Sequence, residues 1–194
     1  MQQFILASQS PRRKTLLEWA ELPFQVIVSA SDEAYPESMP IEEVPVYIAK
    51  NKALAVKEMI KSQPALGSPC IIAADTVVVL HETIIGKPTN REEAIISLQQ
   101  LSGQIHKVIT GVALLYQDKE STFSEITLVE FHELTNAQIE FYVDKYQPYD
   151  KAGGYAIQEW IGVVGIKNIT GDFYNVMGLP VSKLMQKIKQ LGIN

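Results

Sequence analysis

One apolar run constrains the fold of this chain more than any other segment. Residues Cys70–Leu80 (CIIAADTVVVL) are apolar and largely β-branched, which is typical of a central strand buried on both faces of a sheet. Asp75 interrupts the run at its middle. Because an unpaired buried carboxylate is costly, we expect Asp75 to meet a cation, a metal ion or hydrogen-bond donors.

The other segments alternate between helical and strand patterns, with one interruption. We predict strands at Phe4–Ala7 and Phe24–Val28, short strands around 155–166, and helices at Pro11–Ala20, 42–62, a segment capped by Asn90, Thr135–Tyr146 and a segment opened by Pro180. Val108–Tyr116 and Ser124–His132 form a predicted hairpin. This pattern indicates an α/β fold with a mixed sheet, in a single domain over residues 1–194.

Composition limits the classes of function. The net charge of −5 and a pI near 5.3 argue against binding to nucleic acid or acidic membranes, which needs basic surface. The only cysteine, Cys70, cannot form an intramolecular disulfide and is expected to be a buried packing thiol. With no signal-peptide pattern and no apolar run of membrane-spanning length, we expect a cytoplasmic protein.

A basic cluster stands at the predicted start of the first helix. Ser10 suits the N-cap and Pro11 the first helical position, so Arg12, Arg13 and Lys14 fall in the first turn. Positive charge is unfavourable at that end of the helix dipole. A bound anion such as phosphate would explain the arrangement, and a solvated basic surface is the alternative.

Further charged residues stand in unusual places. Lys52 lies within a predicted apolar stripe (Val44, Tyr47, Ile48, Ala55 and Met59), so we expect it to meet an anion or to extend towards water. Lys87 lies in a Gly-Lys-Pro turn, and Glu33 follows Asp32 in a polar loop; both residue types are more often simply solvated there. Two glycines follow Asp150 and Lys151 and permit close approach of the backbone to a ligand.

Taken together, seven ordered motifs resemble those of the Maf family of nucleoside triphosphate pyrophosphatases. The motifs are Ser8-Gln-Ser-Pro-Arg-Arg13, Ala49-Lys-Asn-Lys-Ala53, Ala73-Ala-Asp-Thr76, Gly86-Lys-Pro88, Ser102-Gly-x-x-His-x-Val-x-Thr110, Asp150-Lys-Ala-Gly-Gly-Tyr155 and Asn175-Val-Met-Gly-Leu-Pro180. Each is weak alone, but the ordered set is specific and spans almost the whole chain. The resemblance implies an elongated mixed β-sheet flanked by helices, with two lobes around a cleft, as in inosine-triphosphate pyrophosphatases.

The resemblance also implies an activity and a set of site residues. Family members hydrolyse a nucleoside triphosphate to a monophosphate and pyrophosphate with a divalent cation, Mg²⁺ or alternatively Mn²⁺. It implies Asp75 as proton acceptor, Glu33 as a second acid at the metal, and Arg13, Lys52 and Lys87 on the phosphates. Ser8, Ser10, Asp150 and Lys151 complete the expected substrate-binding set, and a homodimer is expected.

Within the family, the branch acting on dTTP and UTP is the most similar, because it carries the residue types of Arg12, Thr76 and Gln158. A glutamine amide complements the N3–H donor and O4 acceptor of thymine and uracil. Two positions depart from the family pattern: Gln104 replaces a basic residue, and Glu159-Trp160 replaces a small residue after Gln158. A 7-methyl-GTP pyrophosphatase and a non-catalytic nucleotide-binding regulator of septum formation remain alternatives.

Overall fold

The computed structural model describes residues 3–30, 33–62 and 67–193. Asp32, named above, lies outside the described residues. Within these residues the strands are β1 Phe4–Leu6, β2 Phe24–Val26, β3 Cys70–Leu80, β4 Thr83–Ile85, β5 Ile105–Tyr116, β6 Lys119–Phe131 and β7 Ile166–Thr170. The described α-helices are α1 Pro11–Trp19, α2 Val44–Ile60, α3 Arg91–Leu101, α4 Asn136–Tyr146, α5 Trp160–Gly165, α6 Phe173–Met177 and α7 Val181–Gln190.

The strands form one open, mixed sheet in the order β2-β1-β3-β5-β6-β7, with β4 paired to β3. Strand β1 is parallel to both β2 and β3, whereas the β3–β4 and β6–β7 pairs are antiparallel. The predicted mixed α/β fold is therefore confirmed. Nearly every residue of β3 is buried, as expected for a central strand, and a short turn joins β5 directly to β6.

The prediction for residues 155–166 is wrong. The segment contains α5 rather than short strands, and the strand β7 begins only at Ile166. The β-branched and aromatic residues of this stretch favour a strand locally, but such preferences yield to tertiary context. The same principle applies to β4 and α6, two short elements that the pattern did not reveal.

The chain folds into two compact units, each assembled from separate segments. The first comprises residues 1–75, 110–125 and 178–194, and the second comprises 76–109 and 126–177. In the first unit, α2 packs on the sheet through small residues. Ala49 and Ala53 of the helix share a buried cluster with Ala73 and Ala113 of the strands, which allows a close approach of helix and sheet.

The buried face of α2 differs from the predicted stripe. Val44 and Ile48 are buried as expected, but Tyr47 and Met59 are 36% and 38% exposed. The core face instead passes through Ala49, Ala53 and Val56. The helix is rotated relative to the prediction because small side chains, rather than the largest apolar ones, meet the sheet.

Candidate active site

The turn before α1 is built around a buried arginine of the first unit. Arg13 donates from Nε to the carbonyl of Gly178 at 2.8 Å and from Nη1 to the Ser8 hydroxyl at 3.1 Å. The Ser8 hydroxyl also accepts from the Ser10 amide at 3.2 Å. Ser8 and Arg13 are thus brought together, and the turn that carries Ser10 is braced by both.

Ser10 occupies the N-cap of α1 as predicted, but its side chain makes no capping hydrogen bond. Burial lowers the pKa of the Arg13 guanidinium, and the negative charge of Asp75 opposes that shift. Arg12 lowers the Arg13 pKa further, whereas Glu33 raises it. Three neighbouring charges of this unit therefore act on the Arg13 guanidinium.

Lys52 joins the two predicted acids. Its Nζ lies 2.7 Å from Asp75 Oδ1 and 2.7 Å from Glu33 Oε1. The Lys52 side chain is 17% exposed and that of Asp75 12%, whereas that of Glu33 is 53% exposed. The expectation that Lys52 meets an anion, and that Asp75 meets a cation, is confirmed.

The sequence explains why these groups converge. Ile71 and Ala73 face α2 in the buried cluster, and side chains two residues apart on a strand share a face, so Asp75 points to the same side. Lys52 lies one helical turn from each of the buried residues Ile48 and Val56, on the core face of α2. The spacing on strand and helix thus places a carboxylate opposite an ammonium.

Two carboxylates at one point suit a hard divalent cation. Mg²⁺ is commonly held by one or two carboxylates, with water and substrate phosphates as its other ligands. Asp75 and Glu33 fit that minimal set, since both reach the same ammonium group. Among residues 3–30, 33–62 and 67–193, no group of three or more metal-ligating side chains occurs.

The second unit contains the other predicted site residues. Thr76 is half-buried, while Lys87, Asp150 and Gln158 are exposed. The Gly153 amide donates to the Gly86 carbonyl at 3.0 Å, so the segment carrying Lys151 lies against the turn carrying Lys87. Gly153 has φ of +70°, and a Cβ there would lie 3.0 Å from the Val78 side chain, so this approach requires glycine.

Lys151 is buried by its neighbours rather than solvated. Its side chain is 9% exposed, and its Nζ lies 2.8 Å from Asp150 Oδ1 and 3.6 Å from Glu159 Oε1. Tyr142 donates its hydroxyl proton to Glu159 Oε2. The sequence marked Glu159 as a departure from the family pattern but assigned it no partner, and it contained no signal for Tyr142.

The remaining predictions concern residues outside these groups. Cys70 is buried and unbridged, and burial raises the pKa of its thiol to about 12, which confirms a packing role. Gln104 is exposed on the turn after α3. No helix in the described part of the chain is long and apolar enough to cross a bilayer.

A family model described as Maf-like protein matches residues 3–191. The chain belongs to this family. The family's match covers every site residue discussed above, in both units.

Curated relatives of this Maf-like chain share close to half of its residues. A dTTP/UTP pyrophosphatase of Parabacteroides distasonis is 49% identical over 95% of this chain and 94% of its own length. Proteins of the same name from Cytophaga hutchinsonii and Porphyromonas gingivalis are 48% and 45% identical, over 96% and 97% of this chain and 83% and 94% of their own lengths. The similarity is therefore full-length rather than confined to a motif.

Proposed function

We propose that this chain hydrolyses dTTP, UTP and modified pyrimidine nucleoside triphosphates to the monophosphate and pyrophosphate, and so removes unwanted nucleotides from the cellular pool. The observation that carries the proposal is the Asp75–Lys52–Glu33 group, in a chain 44–49% identical to proteins named dTTP/UTP pyrophosphatase. The group supplies acids and a cation without a covalent nucleophile, as direct attack by water requires.

In this proposal Asp75 is the proton acceptor. A water oxygen forms a bond to one phosphorus of the α–β anhydride, and the bond from that phosphorus to the bridging oxygen breaks. The other phosphate group leaves with the bridging oxygen and the bonding electron pair, and the water proton passes to Asp75. Lys52 lies 2.7 Å from that carboxylate, which orients the buried side chain. Arg13, Lys52 and Lys87 neutralise charge on the phosphate oxygens, an electrostatic contribution that is commonly the largest in such reactions.

Maf-family pyrophosphatases generally depend on a divalent metal. Glu33 and Asp75 would hold Mg²⁺, or Mn²⁺ as the alternative. When bound, the ion would supply charge neutralisation at the phosphoryl oxygens. We further propose that residues 1–194 act as one domain, as a homodimer, in the cytoplasm.

Gln158 is proposed to read the base, with Arg12 and Thr76 completing the pyrimidine-specific set. Its amide offers an acceptor for N3–H and a donor for O4 of uracil or thymine. Ser8, Ser10, Asp150 and Lys151 are proposed to contribute to substrate binding. Asp150 and Lys151 form an ion pair at 2.8 Å, which supports their acting together.

Product analysis on a panel of nucleotides tests the proposal. With Mg²⁺, we expect dTTP and UTP to yield monophosphate and pyrophosphate, detected by phosphorus NMR, and purine triphosphates including 7-methyl-GTP to react poorly. Release of orthophosphate and a diphosphate would contradict cleavage at the α–β bond. A preference for 7-methyl-GTP would contradict the proposed base specificity.

A substitution at Gln158 tests the base assignment separately. A glutamate side chain at this position would lack the amide donor, so Gln158→Glu should lose most activity on dTTP and UTP, by about tenfold or more. Gln100→Glu is the matched control, because Gln100 is an exposed glutamine of α3 and the change in charge is the same. If wild type and Gln158→Glu show the same preference for pyrimidine over purine triphosphates, Gln158 does not recognise the base.

A further inference from the structure

The turn that carries Gln158 is held at both ends by one side chain. The Glu159 amide donates to the Ala156 carbonyl at 3.1 Å, which closes a turn over 156–159 with Gln158 exposed at its third position. The Ala156 amide donates to the Tyr142 hydroxyl at 3.1 Å, and that hydroxyl donates to Glu159 Oε2. One phenol oxygen of α4 therefore bonds the first and the last residue of the turn.

Two further contacts restrain the same turn. The second carboxylate oxygen of Glu159, Oε1, lies 3.6 Å from the buried Lys151 ammonium. The next residue, Trp160, packs its ring edge-on against Phe141 of α4, with centroids 4.8 Å apart. Glu159 is thus restrained at both oxygens, and successive residues of α4 contact the chain on both sides of Gln158.

An exposed glutamine has many rotamers, and its direction depends on the backbone from which it extends. A misplaced side-chain amide forms weaker hydrogen bonds with the base, and a displacement of about 1 Å can lower the reaction rate by as much as 10²-fold. A recognition residue on a turn therefore benefits from an independent restraint on that turn. In this chain Glu159 and Tyr142 supply that restraint. Glu159 stands where the family pattern has a small residue.

We propose that Tyr142 and Glu159 are positioning residues for base selection. They hold turn 156–159 so that Gln158 presents its amide to the pyrimidine in one orientation, and Lys151 fixes the Glu159 carboxylate. The proposal rests on the proposed role of Gln158 in reading the base. It assigns to Glu159 a role in specificity rather than in the chemical step.

A double-mutant cycle tests the proposal. Tyr142→Phe removes the hydroxyl and keeps the ring that stacks on Tyr146. We expect kcat/KM for dTTP and UTP to fall by about tenfold, chiefly through KM, while slow hydrolysis of GTP stays unchanged. In a Gln158→Ala background the same change should have no further effect on dTTP, because it acts through Gln158.

Two variants complete the design. Tyr146→Phe is the matched control, since it removes a hydroxyl from the next turn of the same helix, and it should retain wild-type selectivity. Glu159→Gln keeps the size of the side chain but loses its charge opposite Lys151. Like Tyr142→Phe, it should lower kcat/KM for dTTP and UTP relative to that for GTP. If Tyr142→Phe fails to fold, Glu159→Gln tests the same positioning role.

The outcomes separate the two proposals. Suppose that Gln158→Ala lowers the preference for pyrimidines. The positioning role is then overturned if the Tyr142 and Glu159 changes lower kcat/KM equally for all substrates, or if their effects on kcat/KM add fully to that of Gln158→Ala. If Gln158→Ala leaves the preference intact, the proposed role of Gln158 fails, and the positioning role falls with it. Non-additive loss confined to dTTP and UTP supports both.

Discussion

A single lysine makes the buried carboxylate of β3 tolerable. Asp75 interrupts a run of otherwise apolar residues, and Lys52 reaches it at 2.7 Å while also contacting Glu33. Removing one partner of a buried ion pair leaves a charge without compensation and commonly costs about 3–5 kcal/mol. The same pair thus restrains the proposed proton acceptor and contributes to the stability of the first unit.

This part of the site was predictable from residue type alone. A charged residue in an apolar strand or helix face demands a partner, and both Asp75 and Lys52 were anomalous in that way. The sequence did not reveal that they would meet each other, because that depends on the rotation of α2. Tyr142 carried no signal, since a tyrosine on an amphipathic helix is ordinary in any core.

His106 should make the stability of the protein depend on pH. Its side chain is 1% exposed, its Nε2 lies 2.7 Å from the Tyr155 hydroxyl, and burial lowers its pKa from 6.5 to about 4. Below pH 6.5 the unfolded chain binds a proton that the folded chain rejects, so stability falls as pH drops towards 4. Between pH 7 and 5 we expect a loss of about 2 kcal/mol from this group.

Urea unfolding of wild type and His106→Gln at pH 7 and pH 5 measures the contribution of His106. The carboxylates contribute equally to both proteins, so the difference between their pH dependences isolates the histidine. The variant should lose about 2 kcal/mol less than wild type on acidification. Identical pH dependence in the two proteins would contradict a neutral, buried His106.

At the scale of elements, α2 can lie close to the sheet because β5 carries a glycine beneath its start. A Cβ on Gly111 would overlap the Val46 nitrogen and the Pro45 carbonyl carbon, and it would lie 2.5 Å from the Pro45 oxygen. These are backbone atoms and cannot move aside as a flexible side chain can. The position of α2, and with it that of Lys52, therefore depends on Gly111.

We expect Gly111→Ala to destabilise the protein by about 1–3 kcal/mol or more, as overpacking does. Thermal or urea unfolding measures the loss. Gly86→Ala is the control, because a Cβ there would meet no atom within 4 Å. Equal stability of Gly111→Ala and Gly86→Ala would show that α2 does not approach β5 as described.

Two helix starts offer a second comparison. Thr135 and Gln138 form a reciprocal capping box at the start of α4, whereas the Ser10 side chain makes no capping bond at α1. We predict that Thr135→Ala costs about 1 kcal/mol and that Ser10→Ala costs less than about 0.5 kcal/mol. The midpoints of urea unfolding measure both losses of stability. A larger loss of stability in Ser10→Ala than in Thr135→Ala would contradict the assigned caps.

Local signals located the helix starts better than they located the strands. Asn90 accepts a hydrogen bond from the Glu93 amide, and the predicted cap of α4 is equally clear. Caps are recognisable because they depend on one residue and its next turn. The stretch around 155–166 has no such signal, and its β-forming residues misled the prediction for α5.

At the scale of the whole molecule, the mixed α/β class followed from the alternation of elements and the hairpin. The ordered motifs indicated the Maf family, and the match over residues 3–191 confirms it. The division into two units was not readable as a boundary along the chain, because each unit is assembled from segments that are separated in sequence. Such a division depends on long-range packing, which leaves no local pattern.

The measurement that tests the central claim most directly is pyrophosphate release from dTTP by wild type and Asp75→Asn, with binding of dTTP measured in parallel. Asparagine keeps the size of the side chain but cannot accept the water proton as a carboxylate does. We predict that turnover falls by about 10²–10⁴-fold while dTTP still binds. An Asp75→Asn variant that releases pyrophosphate at the wild-type rate, or a wild type that binds dTTP and releases none, would contradict the proposed catalytic role.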